Sequence, residues 1–260
     1  MITSTANQKI KELTKLQKSA KLRNEKQVYI VEGSRMFAEV PVKELVNVWV
    51  SETFAKKQKA LLDRIPSKVP MEIVTDTVFA HISDTKSPQG VLCVVRQKSY
   101  KLTDMLQQKK PLLMVLDQLQ DPGNLGTILR TAEAAGVTGV IMSKDTVDIY
   151  NPKVIRSTMG SIYRVPFVYV ENLPDTLDVM KKHRITAYAA HLAGKNAYDK
   201  ENYEGGTAFL IGNEGNGLRD EVSERADILI RIPMAGEVES LNAAVASTVL
   251  MFEAARQRRQ

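Results

Sequence analysis

Cysteine, histidine and tryptophan are scarce: the 260 residues hold one Cys, three His and one Trp. A lone cysteine excludes an internal disulfide and a cysteine-based zinc cluster, and no metal is expected. Cys93 lies in the apolar run Val91-Leu92-Cys93-Val94-Val95, which reads as a buried core thiol rather than a nucleophile. No apolar run reaches the roughly 18 residues that cross a bilayer. The start, Met1-Ile2-Thr3-Ser4-Thr5, lacks the charged-then-apolar layout of a secretory signal. No membrane association and a cytoplasmic location are therefore expected. Neither phosphate-loop pattern occurs: there is no G-x-x-x-x-G-K-S/T and no G-x-G-x-x-G.

What is present is ordinary core material, 43% hydrophobic and 25% charged, with an uneven charge. Residues 1–98 hold 17 Lys/Arg against 10 Asp/Glu, whereas residues 99–260 hold 19 against 20. The basic excess belongs to the first third. Lys9, Lys11, Lys15, Lys18, Lys21, Arg23 and Lys26 crowd one stretch opposed only by Glu12 and Glu25. Such a stripe suits a polyanion, because Lys and Arg release counterions from phosphates. The plainer alternative is a solvated helix face. Lys9, Lys11, Lys15, Lys18 and Arg23 are the candidate phosphate contacts.

The chain divides into residues 1–98, a helix-bearing polar linker at 99–110, and residues 111–260. In the first part, strands are predicted at Gln27–Glu32, Val46–Ser51, Met71–Thr75 and Gly90–Arg96 from their Val/Ile/Tyr content. Short helices are predicted from Gly33-Ser34 to Val40 and over Glu52–Arg64. In the second part, strands at Leu112–Asp117, Val137–Ser143, Val165–Val170, Ile185–Ala190, Thr207–Ile211 and Ile228–Ile232 alternate with helices. This is the pattern of an α/β fold with a mostly parallel sheet covered on both faces.

Three segments carry chemistry. The first, Asp117-Gln118-Leu119-Gln120-Asp121-Pro122-Gly123-Asn124-Leu125-Gly126-Thr127-Ile128-Leu129-Arg130-Thr131-Ala132, joins a strand's carboxyl end to a helix N-terminus, where open α/β sheets bind ligands. Arg130 falls off the apolar Leu125/Ile128/Leu129/Ala132 stripe. Asn124 is equally readable as a cap and Arg130 as a surface salt-bridge partner. The second, Ile211-Gly212-Asn213-Glu214-Gly215-Asn216-Gly217, runs a strand into three glycines, which let backbone approach a ligand. A plain strand–helix turn would look the same. The third, Ile232-Pro233-Met234 through Ser240-Leu241-Asn242, leads into a final helix. There Ser240 is the expected N-cap, and Leu241, Val245, Thr248/Val249 and Phe252 the expected core stripe.

Together these segments closely resemble the SpoU family of the SPOUT superfamily, S-adenosylmethionine-dependent RNA ribose 2′-O-methyltransferases. The resemblance covers about residues 111–258. Val31-Glu32-Gly33-Ser34 resembles, less specifically, the ribosomal-protein-like substrate-binding domain that precedes it in many members. The resemblance implies a deep C-terminal trefoil knot, S-adenosylmethionine as cofactor, a homodimer, and RNA as substrate, with ribosomal RNA favoured over transfer RNA by the added first domain. It implies a cofactor pocket at the backbone of Gly212, Ile232 and Leu241 near Ala190. Arg130, Asn124, Glu214, Ser240 and Asn242 match the catalytic motif positions. Arg130 is expected to hold the target phosphate and stabilise a developing alkoxide. Glu214 is expected either to orient Arg130 or to hold the glycine loop. Two other classes compete: a non-enzymatic RNA-binding or ribosome-assembly factor with the same fold, opposed by the intact motif residues, and a nucleotide-dependent α/β enzyme, opposed by the missing phosphate loops.

Overall fold

The computed structural model describes residues 1–259 and separates into two compact units. The first comprises Met1–Lys98 together with Asp148–Tyr163; the second comprises Ser99–Val147 and Arg164–Gln260. Residues 148–163, expected to belong with the second part, thus leave it and pack with the first. The expected linker is also not free-standing. Its helix, Leu102–Leu106, buries Met105 and Leu106 in the core of the second unit.

The first unit opens with α1 (Gln8–Lys18) and α2 (Ala20–Lys26), followed by β1 (Val28–Glu32) and α3 (Ser34–Glu39). Then come β2 (Leu45–Ser51), α4 (Glu52–Lys57), α5 (Lys59–Leu62), β3 (Met71–Val74), α6 (Asp76–Ile82) and β4 (Val91–Arg96). The sheet order is β1-β4-β2-β3, with only β2 and β3 parallel. Ile10, Leu13 and Leu16 recur at helical spacing on α1 and are buried with Val78, Phe79 and Ile82 of α6 against Trp49, Leu92 and Val94 of the sheet. Burial of each such side chain stabilises by about 1.5–3 kcal/mol. The single helix expected over Glu52–Arg64 is interrupted at Gln58, whose φ of −118° and ψ of 38° are not helical.

The second unit begins with α7 (Leu102–Leu106), β5 (Leu112–Leu116), α8 (Pro122–Ala135) and β6 (Gly139–Ser143). The chain then supplies α9 (Pro152–Thr158) to the first unit. It resumes with β7 (Phe167–Val170), α10 (Leu173–Lys182), β8 (Ile185–Ala190), β9 (Asn196–Ala197), β10 (Gly206–Ile211), α11 (Asp220–Ser223), β11 (Ile228–Arg231) and α12 (Ala243–Arg258). The seven strands run in the order β7-β6-β5-β10-β8-β11-β9, all paired in parallel. Every residue of β5 is buried, as a parallel sheet covered on both faces requires.

This order positions the site. The strand β10 lies between β5 and β8, both made earlier, so the carboxyl ends of β5, β10, β8 and β11 converge. Asp117 N donates to Ile211 O at 2.9 Å just beyond the β5–β10 ladder, and Ala190 is paired with Ile230. A reversal of strand order such as the one beside β5 opens a crevice at the strand ends. Among the described residues no helix is long and apolar enough to cross a membrane.

Candidate active site

A cleft of about 680 Å³ opens at these strand ends. Its wall is made by Ala190 and His191 after β8, by Ile211 through Leu218 after β10, and by Ile230 through Met234 with Glu239, Ser240, Leu241, Ala243 and Ala246 after β11. The size and the mixture of apolar walls with a few polar groups suit a ligand of nucleoside dimensions. The four residues expected at a cofactor, Gly212, Ile232, Leu241 and Ala190, all line it.

The glycine loop is a closed turn. Asn213 and Gly217 exchange two backbone hydrogen bonds of 2.9 Å, and Gly217 has φ of +70°. Gly212 is required by close approach rather than by φ. A Cβ built there would lie 2.0 Å from the carbonyl carbon of Gly217 and 2.1 Å from the nitrogen of Leu218.

Three ties fix this loop to the end of β5 and the start of α8. Asn213 Nδ2 donates to Gln118 O at 2.9 Å; Gln118 itself holds φ of +55°, a strained value for a non-glycine residue. Arg219 grips the fully buried Asp117 with its guanidinium at 2.7 and 3.0 Å and with its backbone N–H at 3.1 Å. Glu214 accepts from Gln120 N at 3.1 Å, Asp121 N at 2.9 Å and Asn124 Nδ2 at 3.0 Å. The last tie continues onward, since Asn242 Nδ2 donates to Asn124 Oδ1 at 2.9 Å. Glu214, Asn124 and Asn242, from three separate segments, therefore form one hydrogen-bonded chain.

Glu214 is a carboxylate here. Burial pushes its pKa up, but hydrogen bonds from the Asn124 side chain and from the backbone of Gln120 and Asp121 outweigh this and leave it below the usual value. A lowered folded-state pKa makes the tether's contribution complete above the ordinary glutamate range and progressively lost as pH falls through the depressed value. Glu214 thus changes no charge near neutrality, and its contacts tie the glycine loop to the start of α8.

Two expected caps are corrected. Asp121, not Asn124, caps α8: its side chain accepts from Asn124 N at 2.7 Å, with Pro122 in the first helical turn. Asn242, not Ser240, caps α12, accepting from Ala244 N and Val245 N. An asparagine can accept at the helix end while its amide donates to Asn124; one side chain thereby joins cap and site. Ser240 lies on the cleft wall. Arg130 does not line the cleft; it is exposed on α8, and no hydrogen bond or ion pair engages it among the described residues.

Among the RNA-contact candidates, Lys11, Lys15 and Lys18 share one exposed stripe of α1. Lys9, also exposed, is ion-paired with Glu72. Arg23 is corrected: it is buried, donating to Leu16 O at 2.9 Å, Gln17 O at 2.8 Å and Asp148 at 2.5 Å, and cannot reach a phosphate. The Asp117–Arg219 pair and His191 received no role from the sequence. Asp117 directly follows β5 and Arg219 stands two residues past the last loop glycine, a juxtaposition visible only once β5 and β10 are neighbours.

Fold and cleft define an α/β protein built to take an extended small ligand at its strand ends. The chain belongs to the SpoU rRNA methylase family, whose model matches residues 111–252; the MRM3-like substrate binding domain matches residues 7–93. It is similar to the 23S rRNA (guanosine(2553)-2′-O)-methyltransferase RlmP of Bacillus subtilis, with 30% identity over 96% of this chain and 97% of that one. A crystal structure of an RNA 2′-O ribose methyltransferase superposes with a TM-score of 0.85 at 30% identity, covering 100% of this chain and 99% of the other. An AdoMet-bound rRNA methyltransferase from Sinorhizobium meliloti gives 0.85 at 30% identity, covering 98% and 97%. As a family member the chain is an RNA methyltransferase with S-adenosylmethionine as methyl donor.

Proposed function

We propose that this chain methylates a ribose 2′-hydroxyl of ribosomal RNA in the cytoplasm, working as a homodimer. The observation that carries the reading is the glycine-loop cleft locked to α8 through Glu214, Asn124 and Asn242. The match to a ribosomal RNA 2′-O-methyltransferase over nearly the whole of both chains supports the substrate class.

The cleft fits the methyl donor. Gly212 leaves no room for a side chain where backbone must approach, and Ile211, Leu218, Ile230, Ile232 and Leu241 supply dry walls for a flat base. Backbone groups of Gly212, Ile232 and Leu241 would hold the adenosine, with Ala190 closing one side. When bound, the donor supplies an electrophilic methyl group on a sulfonium. The chain supplies position, which is worth up to roughly 7–11 kcal/mol in ideal cases. Ser240 on the wall, with Asn124 and Asn242 behind it, would orient the ribose. Arg130, unengaged among the described residues, would offer its donors to the target phosphate and to the negative charge that builds on the ribose oxygen as its proton passes to water. A guanidinium carries donors and no acceptor, which argues against a literal base.

Label from S-adenosylmethionine is expected in RNA at an alkali-resistant linkage, because a blocked 2′-oxygen cannot attack the neighbouring phosphate. Label confined to a base would overturn the 2′-O assignment.

The homodimer reading draws on the outer face of α12. On its inner face Ala243, Ala244, Ser247 and Ala254 are buried with Leu250 and Met251, and the helix packs against α8. Val245 and Phe252, expected in the core, are 49% and 42% exposed and share a stripe with Val249. Such an apolar stripe at i, i+4 and i+7 suits a second copy. Sedimentation at micromolar concentration is expected to show a pair; a 29.0 kDa species alone would remove the dimer.

A further inference from the structure

The short link at Ser19 folds α2 back beside the end of α1, and between the two helices runs a groove of about 490 Å³. It is lined by Thr14, Lys15, Lys18, Ser19, Lys21, Leu22 and Glu25. Lys15 and Lys18 are exposed and unpaired, and Lys21 has only a 3.9 Å contact with Glu25 between two exposed groups, which is worth little. The two helices are joined beneath the groove by hydrogen bonds. The buried Arg23 reaches from α2 to the carbonyls of Leu16 and Gln17 at the end of α1 and is held in turn by Asp148. Arg23 thus joins α2 to the end of α1 instead of facing solvent.

A second observation concerns what the first unit lacks on its surface. Tyr29, Phe37, Trp49, Phe54, Phe79, Tyr150 and Tyr163 are all buried, so among the described residues this unit exposes no aromatic ring. Unpaired bases are normally gripped by stacking on such rings, whereas double-helical RNA is held through its phosphates and shape.

We propose, resting on the reading of this chain as an RNA methyltransferase, that the α1–α2 groove is a phosphate track for double-helical RNA. Lys15, Lys18 and Lys21 engage the backbone, and the first unit docks a structured segment with little regard to its sequence. The target ribose is then selected elsewhere.

The full chain is titrated with a fluorescent RNA hairpin and with single-stranded poly(U) of equal length, over a range of salt. The hairpin is expected to bind more tightly. The variant Lys15→Gln/Lys18→Gln/Lys21→Gln is expected to lower the salt slope for the hairpin by about 2–3, at roughly 0.9 per lost phosphate contact. Removal of the same charge elsewhere, by Lys56→Gln/Lys57→Gln/Lys59→Gln, is expected to retain most of the slope. An unchanged slope for the groove variant, an equal loss from the α4–α5 variant, or a preference for poly(U) would each overturn the proposal. If the groove variant does not fold, the hairpin against poly(U) comparison on the unsubstituted chain still decides. Methyl transfer by the unsubstituted chain is scored separately, so failure of the catalytic reading is distinguishable from failure of the groove.

Discussion

Gly212→Ala is expected to abolish useful binding of S-adenosylmethionine, with a loss of about 100-fold in calorimetric affinity. The added methyl would sit 2.0 Å from a backbone carbon, so the neighbour cannot rotate away as a side chain would; the closed turn from Asn213 to Gly217 must open instead. Overpacking typically costs about 1–3 kcal/mol, and each 1.4 kcal/mol is about tenfold in affinity. A backbone collision belongs at the upper end. Gly215→Ala is the internal comparison, because a Cβ there meets only Asn213 Oδ1 at 3.6 Å, and its effect is expected to be several-fold at most. The remaining ties through Asp117–Arg219 and Glu214 keep the unit folded, which near-ultraviolet circular dichroism checks. Normal donor binding by Gly212→Ala would mean that the cleft is not the donor site.

Arg130→Ala is expected to lower turnover on the order of 10²-fold or more, the range for losing a donor aimed at charge that develops in the transition state. Folding and donor affinity are expected to survive, since Arg130 is exposed on α8, makes no side-chain hydrogen bond among the described residues and lies outside the cleft wall. Arg130→Lys separates two roles. Lysine keeps the charge but loses the planar fork that holds a phosphate in two places. Recovery of most of the rate by lysine would assign the work to charge alone; a rate like that of alanine would assign it to the fork. Near-normal turnover of Arg130→Ala at saturating RNA would return the residue to an ordinary surface position.

The strands were the most readable part of the chain. Ile185–Ala190 coincides with its predicted bounds, and the others differ by a residue or two, because buried parallel strands are unbroken apolar runs. The helices were harder where packing overrides hydropathy. For α12, the sequence argued for Val245 and Phe252 inside, but contact with α8 selects alanine and serine at the interface and turns the larger side chains outward. The break at Gln58 has no glycine or proline to announce it. At the site, the residue types were legible and their connections were not. Nothing in one dimension says that Asn242 donates to Asn124 and Asn124 to Glu214, or that Arg219 closes on Asp117; those contacts follow from the placement of β10 beside β5. Arg23 stood in a run of lysines and was read with them. What distinguishes it is a guanidinium fork that can satisfy the carbonyls at the end of α1 and Asp148 together, which an ammonium group cannot.

The return of residues 148–163 to the first unit sets an order of events on the ribosome. When Lys98 has been added, all four strands of the first sheet exist, yet Asp148, the ion-pair partner of buried Arg23, has not been made. Tyr29 likewise waits for Tyr150, whose ring lies 4.7 Å from its own, and Asp84 for Arg156. At about 5–20 residues per second, the interval before these partners emerge is several seconds. During that interval the nascent first unit carries an unmatched arginine at the hinge of α1 and α2. The first unit is therefore complete only after β5, α8 and β6 of the second have been synthesised, so the synthesis of the two units is interleaved.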